Sequence, residues 1–169
     1  MTGIPPSVRA DLEELKAEYF FCVDNKLWDR LLTLFTPDAA FHGTGFRAGD
    51  PGEFVKKTSE ILTHVHSSHF GFQPVFSKDA EGTAARGRWA MQDFLTWDPQ
   101  ETSLPGITNP GAHSLHGFGY YEDSYRFDGG RWRLSSMRLI RTRLDVLAAS
   151  PAPTTFPVAG SIDLSWVER

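Results

Sequence analysis

The sequence predicts an α+β fold, a cone of three N-terminal helices packed on a strongly curved, mainly antiparallel sheet. Three observations carry this. Apolar residues recur every three to four positions up to about residue 64, and every two positions from His69 onward. The helical segments stand ahead of the long strands, which separates a helical layer from a sheet. The chain has 169 residues, a length suited to one domain that buries roughly 70% of its extended-chain surface. A curved sheet closed by helices leaves a mouth, and that mouth is a pocket.

Residues 8–23 read as the first helix. Leu12, Leu15, Tyr19, Phe20 and Val23 form its apolar stripe, and Arg9, Asp11, Glu13, Glu14, Lys16 and Glu18 take the other face. Asn25 punctuates its end. A shorter helix follows with Trp28, Leu31, Leu32 and Phe35 as its stripe, and Thr36-Pro37-Asp38 stops it. Ala39 to Phe46 is a short strand. Asp50-Pro51-Gly52-Glu53 then opens a third helix, with Asp at the N-cap, Pro at the first helical position and Glu three residues after the cap.

Four strands follow: His69 to Phe76, Thr83 to Trp97, Ser114 to Phe127 and Arg131 to Leu144. Asp128-Gly129-Gly130 joins the last two as a tight hairpin. Pro99 to Gly111 holds three prolines and no periodicity, which marks a long loop of the kind that borders sites. These elements make one domain over residues 1–145. A Pro/Ala-rich extension, 146–169, still carries Phe156, Leu164, Trp166 and Val167, side chains suited to closing a pocket or docking on a neighbouring subunit. A homodimer or homotrimer is expected on that basis.

Composition removes several function classes. The net charge is −4, and no Lys/Arg block exceeds two adjacent residues, which argues against nucleic acid as a partner. Arg86/Arg88, Arg131/Arg133 and Arg141/Arg143 alternate along strands and read as a solvated sheet face. A single cysteine, Cys22, excludes a disulfide framework and a cysteine-based metal cluster. No apolar stretch reaches the ~20 residues of a membrane span, and the N-terminus lacks a signal pattern, so the cytoplasm is the expected compartment. Aromatic residues make up 13% of the chain, more ring surface than a plain core requires.

Among residues able to do chemistry, Asp24 stands where the helix macrodipole disfavours a carboxylate, at the end of helix one and after an apolar run. It either caps the second helix or has a partner elsewhere. His69 opens a strand face that continues through Gly71 and Gln73, small and polar, as a ligand cavity requires. A His–Asp pair fixes the imidazole tautomer, and such a His can remove a proton beside a carbonyl and deliver it to a leaving hydroxyl. No metal is expected: His64, His66 and His69 cluster in sequence, but His64 and His66 straddle the change from helix to strand. Phosphate-cradle, dinucleotide, nucleophile-elbow and metalloprotease motifs are absent, and no cofactor is implied. Tyr19 lies five residues before Asp24. Trp89, Met91, Asp93, Leu95 and Trp97 share one strand face, where an Asp needs a partner. Arg138 is the expected partner, and Tyr121 shares a face with Asp123 on the neighbouring strand.

The stretches EYFFCVDNKLWDRLLTLFTPDAAFHG, EFVKKTSEILTHVHSSHFGFQ and GYYEDSYRFDGGRWRLSSMRL, spread over residues 8–145, resemble the SnoaL-like branch of the nuclear transport factor 2-like superfamily. Its members include scytalone dehydratase, bile-acid 7α-dehydratase, a hexachlorocyclohexane dehydrochlorinase, polyketide cyclases and steroid isomerases. The resemblance implies the cone-shaped fold and an Asp–His dyad, which falls on Asp24 and His69. It places Tyr19 beside the dyad as a third catalytic group, and Asp93 and Arg138 in the pocket. Trp89 and Tyr121 are expected to complete the substrate-binding wall. Val23 stands where scytalone dehydratase has a tyrosine, and His113 or His116 is the loose counterpart of its second histidine. The implied function is a cofactor-independent lyase, a dehydratase acting on a hydrophobic cyclic, steroid-like or polyketide-derived molecule. A cyclase or isomerase using the same dyad is the alternative, as is a non-catalytic binding or assembly subunit.

Overall fold

A computed structural model describes residues 4–79 and 82–148. The elements run α1 Pro6–Asp24, α2 Trp28–Thr33, β1 Phe35–His42, α3 Pro51–Leu62, β2 Val65–Lys78, β3 Ala84–Trp97, β4 Ala112–Asp128 and β5 Arg131–Ala148. The strands form one sheet in the order β1-β5-β4-β3-β2, with β1 parallel to β5 and every other pairing antiparallel. This is the α+β architecture expected from the sequence, with the helices on one sheet face.

α1 starts on a proline, whose fixed φ and missing N–H suit a first helical position. It buries Leu12, Leu15, Tyr19, Phe20, Cys22 and Val23 against the sheet. Its stripe also includes Lys16, assigned from sequence to the polar face and here completely buried. α3 begins as expected, with the Asp50 carboxylate accepting from the Glu53 backbone N–H at 2.8 Å and Glu53 reaching back to Gly49 N–H at 2.6 Å. Gly129 and Gly130, at φ 59° and 84°, make the primed turn between β4 and β5 that matches strand twist.

Several boundaries differ from the sequence reading. α2 ends at Thr33, and Phe35-Thr36-Pro37-Asp38 is the start of β1, not the tail of a helix. Pro37 is tolerated there because β1 is an edge strand that pairs only with β5. Leu32 consequently leaves the apolar stripe and is exposed. β2 begins four residues before His69, and β5 continues four residues past Leu144. The extension beyond 148, on which the expected subunit contacts partly rest, lies outside the described residues.

The register of β5 is the feature that matters most for the site. Tyr125 pairs with Leu134 but Ser124 with Ser136, so Ser135 is an extra residue. Gly119 pairs with Arg141 but Phe118 with Arg143, so Thr142 is a second. Each such bulge exchanges inward and outward positions along the bulged strand. Leu134 faces the helices before the first bulge, and Met137, Leu139 and Arg141 face them after it.

Candidate active site

α1 stops at Asp24 beside the start of β2, and the carboxylate is spent on that strand. Its Oδ1 lies 2.6 Å from His69 Nδ1 and accepts from Ser67 Oγ at 2.8 Å. Its Oδ2 accepts from the His69 backbone N–H at 2.8 Å. Ser67 and His69 are two residues apart on one strand and therefore share a face. Three donors thus hold one carboxylate. The capping alternative does not operate: Leu27 stands at the N-cap of α2, with no side-chain cap bond. The His69 ring stacks parallel to Phe20 at 6.4 Å between centroids. With Nδ1 committed to Asp24, Nε2 is the nitrogen offered to the space His69 borders.

That space is a cavity of about 340 Å³, within the range of small-molecule sites. Val23, Phe46, Phe54, Ile61, Leu95 and Leu139 are typical of its walls, and the 99–111 loop contributes Leu104 to Ile107. Tyr19, His69, Asp93, Tyr121 and Arg141 supply the ionisable side chains of its lining. Asp24 sits behind His69 and does not line the cavity.

Asp93 is buried and stands opposite His69 across the β2–β3 pair. Its partner is Arg141, whose two terminal nitrogens donate to the two carboxylate oxygens at 2.9 and 2.5 Å. The expected partner, Arg138, is corrected here. The Ser135 bulge turns Arg138 to the outer face, where it lies 3.8 Å from Glu122 and is largely exposed. Gly117 makes the true pair possible. It lies between Asp93 on β3 and Leu144 on β5, and a Cβ at that position would collide with both Arg141 and Asp93. Burial works against the Arg141 charge, and the bidentate Asp93 bond more than offsets it, so its proton affinity is raised.

Trp89 is also displaced from the expected wall. It is on the correct face, but four residues from Asp93 it lies about 13 Å further along the strand. There its Nε1 donates to Tyr125 Oη at 2.8 Å and its ring packs edge-on to Phe76. Tyr125 in turn donates to Asp123 Oδ2 at 2.9 Å, and Lys16 Nζ meets the same oxygen at 2.8 Å. Lys16 also lies over the rings of Tyr121, Tyr19 and Phe20, at 3.7, 4.7 and 5.1 Å from their centroids. Burial lowers the proton affinity of Lys16 and raises that of Asp123, each opposed by the other's charge.

Tyr19 and Tyr121 meet edge to face at 6.2 Å. Burial raises both hydroxyls above the usual phenol range. Tyr121 adds to the effect on Tyr19, and the Asp93 charge adds to the effect on Tyr121. Both therefore remain neutral hydrogen-bond donors. Cys22 is buried and its thiol is pushed up to about 11, first by burial, so it is an inert core side chain. His64 and His66 are exposed while His69 turns inward. Among the described residues no three His, Cys, Asp or Glu side chains converge on one point. No described helix is long and apolar enough to cross a membrane.

Sequence reasoning overlooked Arg141 as the Asp93 partner, Lys16 as a buried cation, and Ser67 as an Asp24 donor. Gly117-Phe118-Gly119, two glycines on one strand face, was the available signal for a long side chain crossing β4.

The SnoaL-like domain family matches residues 7–138. Among solved structures, the hexachlorocyclohexane dehydrochlorinase of Novosphingobium barchaimii is 15% identical. That match covers 89% of this chain and 96% of the other, with a TM-score of 0.71. A Novosphingobium aromaticivorans protein assigned provisionally as a scytalone dehydratase is 16% identical over 92% of this chain and 96% of its own, with a TM-score of 0.67. A second protein of that organism, assigned provisionally as an aromatic ring hydroxylase, is 18% identical over 86% and 96%, with a TM-score of 0.71. At such identities these likenesses concern the fold.

Proposed function

The chain belongs to the SnoaL-like domain family of the nuclear transport factor 2-like superfamily, and from that premise we propose a cofactor-independent lyase. Its reaction is a dehydratase-type elimination on a hydrophobic cyclic molecule, steroid-like or polyketide-derived. One observation carries the reading: an Asp-anchored imidazole, His69, borders a largely apolar cavity that also offers the donors Tyr19, Tyr121 and Arg141, with the Asp93 carboxylate of its lining taken up by Arg141.

The proposed chemistry begins with a substrate that carries a carbonyl and, on the β-carbon, a hydroxyl. His69 Nε2 takes the proton from the carbon between them, and the electron pair moves onto the carbonyl oxygen as an enolate. Asp24 stabilises the imidazolium that results. Tyr19, Tyr121 or Arg141 donates to the enolate oxygen, between largely apolar walls. The enolate then re-forms the carbonyl and expels the β-hydroxyl. The hydroxyl leaves as water with the proton held on His69, which restores the starting histidine and yields an enone.

The test is a panel of hydrophobic β-hydroxy ketones in deuterated buffer, followed by enone absorbance and by NMR of the α-carbon. Enone formation supports the lyase. Exchange or rearrangement without water loss transfers the dyad to an isomerase or cyclase. Binding with neither overturns the enzymatic reading.

We also propose that a homodimer or homotrimer forms through the outer sheet face. Phe70, Phe72, Phe94 and Tyr120 are 49%, 43%, 43% and 43% exposed there. At about 150–250 Å² per ring, they offer an apolar centre on the order of 300–400 Å², about half of one partner's share of a standard interface. Sedimentation velocity tests this: a monomer at every concentration would overturn it, and Phe72→Glu should dissociate an oligomer.

A further inference from the structure

The turn after α1 holds a residue where the backbone favours glycine. Leu27 N–H bonds to Cys22 C=O at 2.8 Å and Lys26 N–H to Val23 C=O at 3.3 Å, the paired bonds that close a helix C-terminus. Lys26 occupies the left-handed position of this motif, at φ 61°. Glycine fits there without steric cost, whereas a side chain with a Cβ does not. An unfavourable backbone conformation of this kind persists when its surroundings over-determine it.

The Lys26 side chain supplies such surroundings. Its half-buried ammonium donates to Ser67 Oγ at 3.2 Å, and Ser67 donates its own hydroxyl proton to Asp24 Oδ1 at 2.8 Å. The chain of contacts runs from a cation through a hydroxyl to the carboxylate oxygen that holds His69 Nδ1 at 2.6 Å. Burial lowers the proton affinity of Lys26, and Asp24 raises it. The lysine is thus partly desolvated beside the dyad, without a direct ion pair to Asp24 that would cancel both charges.

We propose that Lys26 and Ser67 are positioning residues of the dyad: they hold Asp24 in place and draw off part of its negative charge, so that the loss of either strengthens the pull of Asp24 on the His69 ring proton. This rests on the reading of His69 as a base. A serine hydroxyl has one proton, so donation to Asp24 obliges Ser67 Oγ to act as the acceptor for Lys26, and the direction of both bonds is fixed. A cation within two hydrogen bonds of Asp24 opposes the uptake of a second positive charge on the imidazole. The remaining ionisable groups around His69 come from every neighbouring element: Tyr19 from α1, Asp93 from β3, Tyr121 from β4 and Arg141 from β5. Asp93 and Arg141 form a bidentate pair and both tyrosines are neutral, which leaves Lys26 as the cation beside the dyad that lacks a direct carboxylate partner among the described residues.

The test needs no substrate. The full chain is labelled with ¹⁵N-histidine, and the His69 ring signals, assigned with His69→Gln, are followed through a pH titration. Lys26→Gly removes the ammonium while suiting the left-handed backbone, so its thermal midpoint should not fall. Its His69 midpoint should rise by about half a pH unit, the scale of one partly screened charge at this range. Ser67→Ala should move it in the same direction, and Lys26→Arg, which keeps the charge, should leave it near wild type. A purely structural role for Lys26 predicts no shift in Lys26→Gly, and that result overturns the proposal. The reading of His69 fails separately: it does so when the wild-type Nδ1–H shows no hydrogen-bonded signal and Asp24→Asn changes nothing.

Discussion

The two faces of the sheet are built from alternate residues of the same strands, yet they treat charge in opposite ways. On the inner face Asp93 is fixed by Arg141 and Asp123 by Lys16 and Tyr125, and the Asp24 carboxylate of α1 meets that face through His69 and Ser67. On the outer face Arg88 reaches Glu122 at 2.6 Å and Arg138 reaches the same residue at 3.8 Å, with both arginine side chains more than 60% exposed. Water screens those outer pairs and competes for their hydrogen bonds, so their geometry is of little consequence. On the inner face Asp93, Asp123 and Lys16 are buried, and there an unpartnered charge would be costly. Charge is tolerated on one face and organised on the other.

The largest effect is expected where that organisation meets the chemistry. His69→Ala should lower turnover of a β-hydroxy ketone substrate by about 10²–10⁴-fold, the usual contribution of a general base, with thermal unfolding unchanged. Asp24→Asn should preserve the fold and lose most of the same activity, because an amide cannot support an imidazolium. Steady-state rates beside melting curves check both. An inactive wild type across the substrate panel would remove the chemical half of the contrast.

Next in size is the floor of the inner face. Lys16→Met leaves Asp123 buried without its cation and should cost about 3–5 kcal/mol in chemical denaturation. The double substitution Lys16→Met with Asp123→Leu should regain most of that loss, because buried ion pairs are often replaceable by apolar side chains of similar volume. If the double variant is as unstable as the single, the inner charges contribute net stability and the contrast with the outer face is larger than drawn. Arg141→Met should reduce activity by about 10²-fold if the arginine donates to the reacting oxygen, whereas a binding defect alone would appear in KM.

How far the sequence exposes these faces depends on what specifies them. The dyad was legible because both partners stand beside strong patterns: Asp24 closes an apolar helix stripe, and His69 stands on a strand face of small and polar residues. The order of helices and strands was legible for the same reason. Lys16 was not, since a lysine among glutamates on a helix reads as solvated until its cation is found over three aromatic rings. The α2–β1 boundary was missed because Phe35 fits either period and a proline usually excludes a strand, except at an edge. Bulges are harder still. Ser135 and Thr142 carry no turn chemistry, and nothing local announces that strand parity changes at them.

The smallest expected effect tests that last point most sharply. Without the Ser135 bulge, strict alternation from Leu134 would carry Ser136 and Arg138 to the cavity and Met137 to solvent. With it, Met137 is buried and Arg138 is exposed beside Glu122. Arg138→Ala should therefore change neither turnover nor KM, and should shift stability by no more than about 1 kcal/mol, the range of exposed ion pairs. Deleting Ser135 removes the extra residue itself: Ser136 then follows Leu134 directly and still stands opposite Ser124, so Met137 and Arg141 keep the inner face and Arg138 the outer one. Deleting Ser135 and Ser136 together shifts every later residue by one position, turns Arg138 inward, drives Arg141 outward and leaves Asp93 buried without a partner. The unfolding midpoint of that double deletion should fall well below those of Arg138→Ala and of the Ser135 deletion. Equal midpoints for the double deletion and Arg138→Ala would mean that the register of β5 is not what sorts its arginines between the two faces.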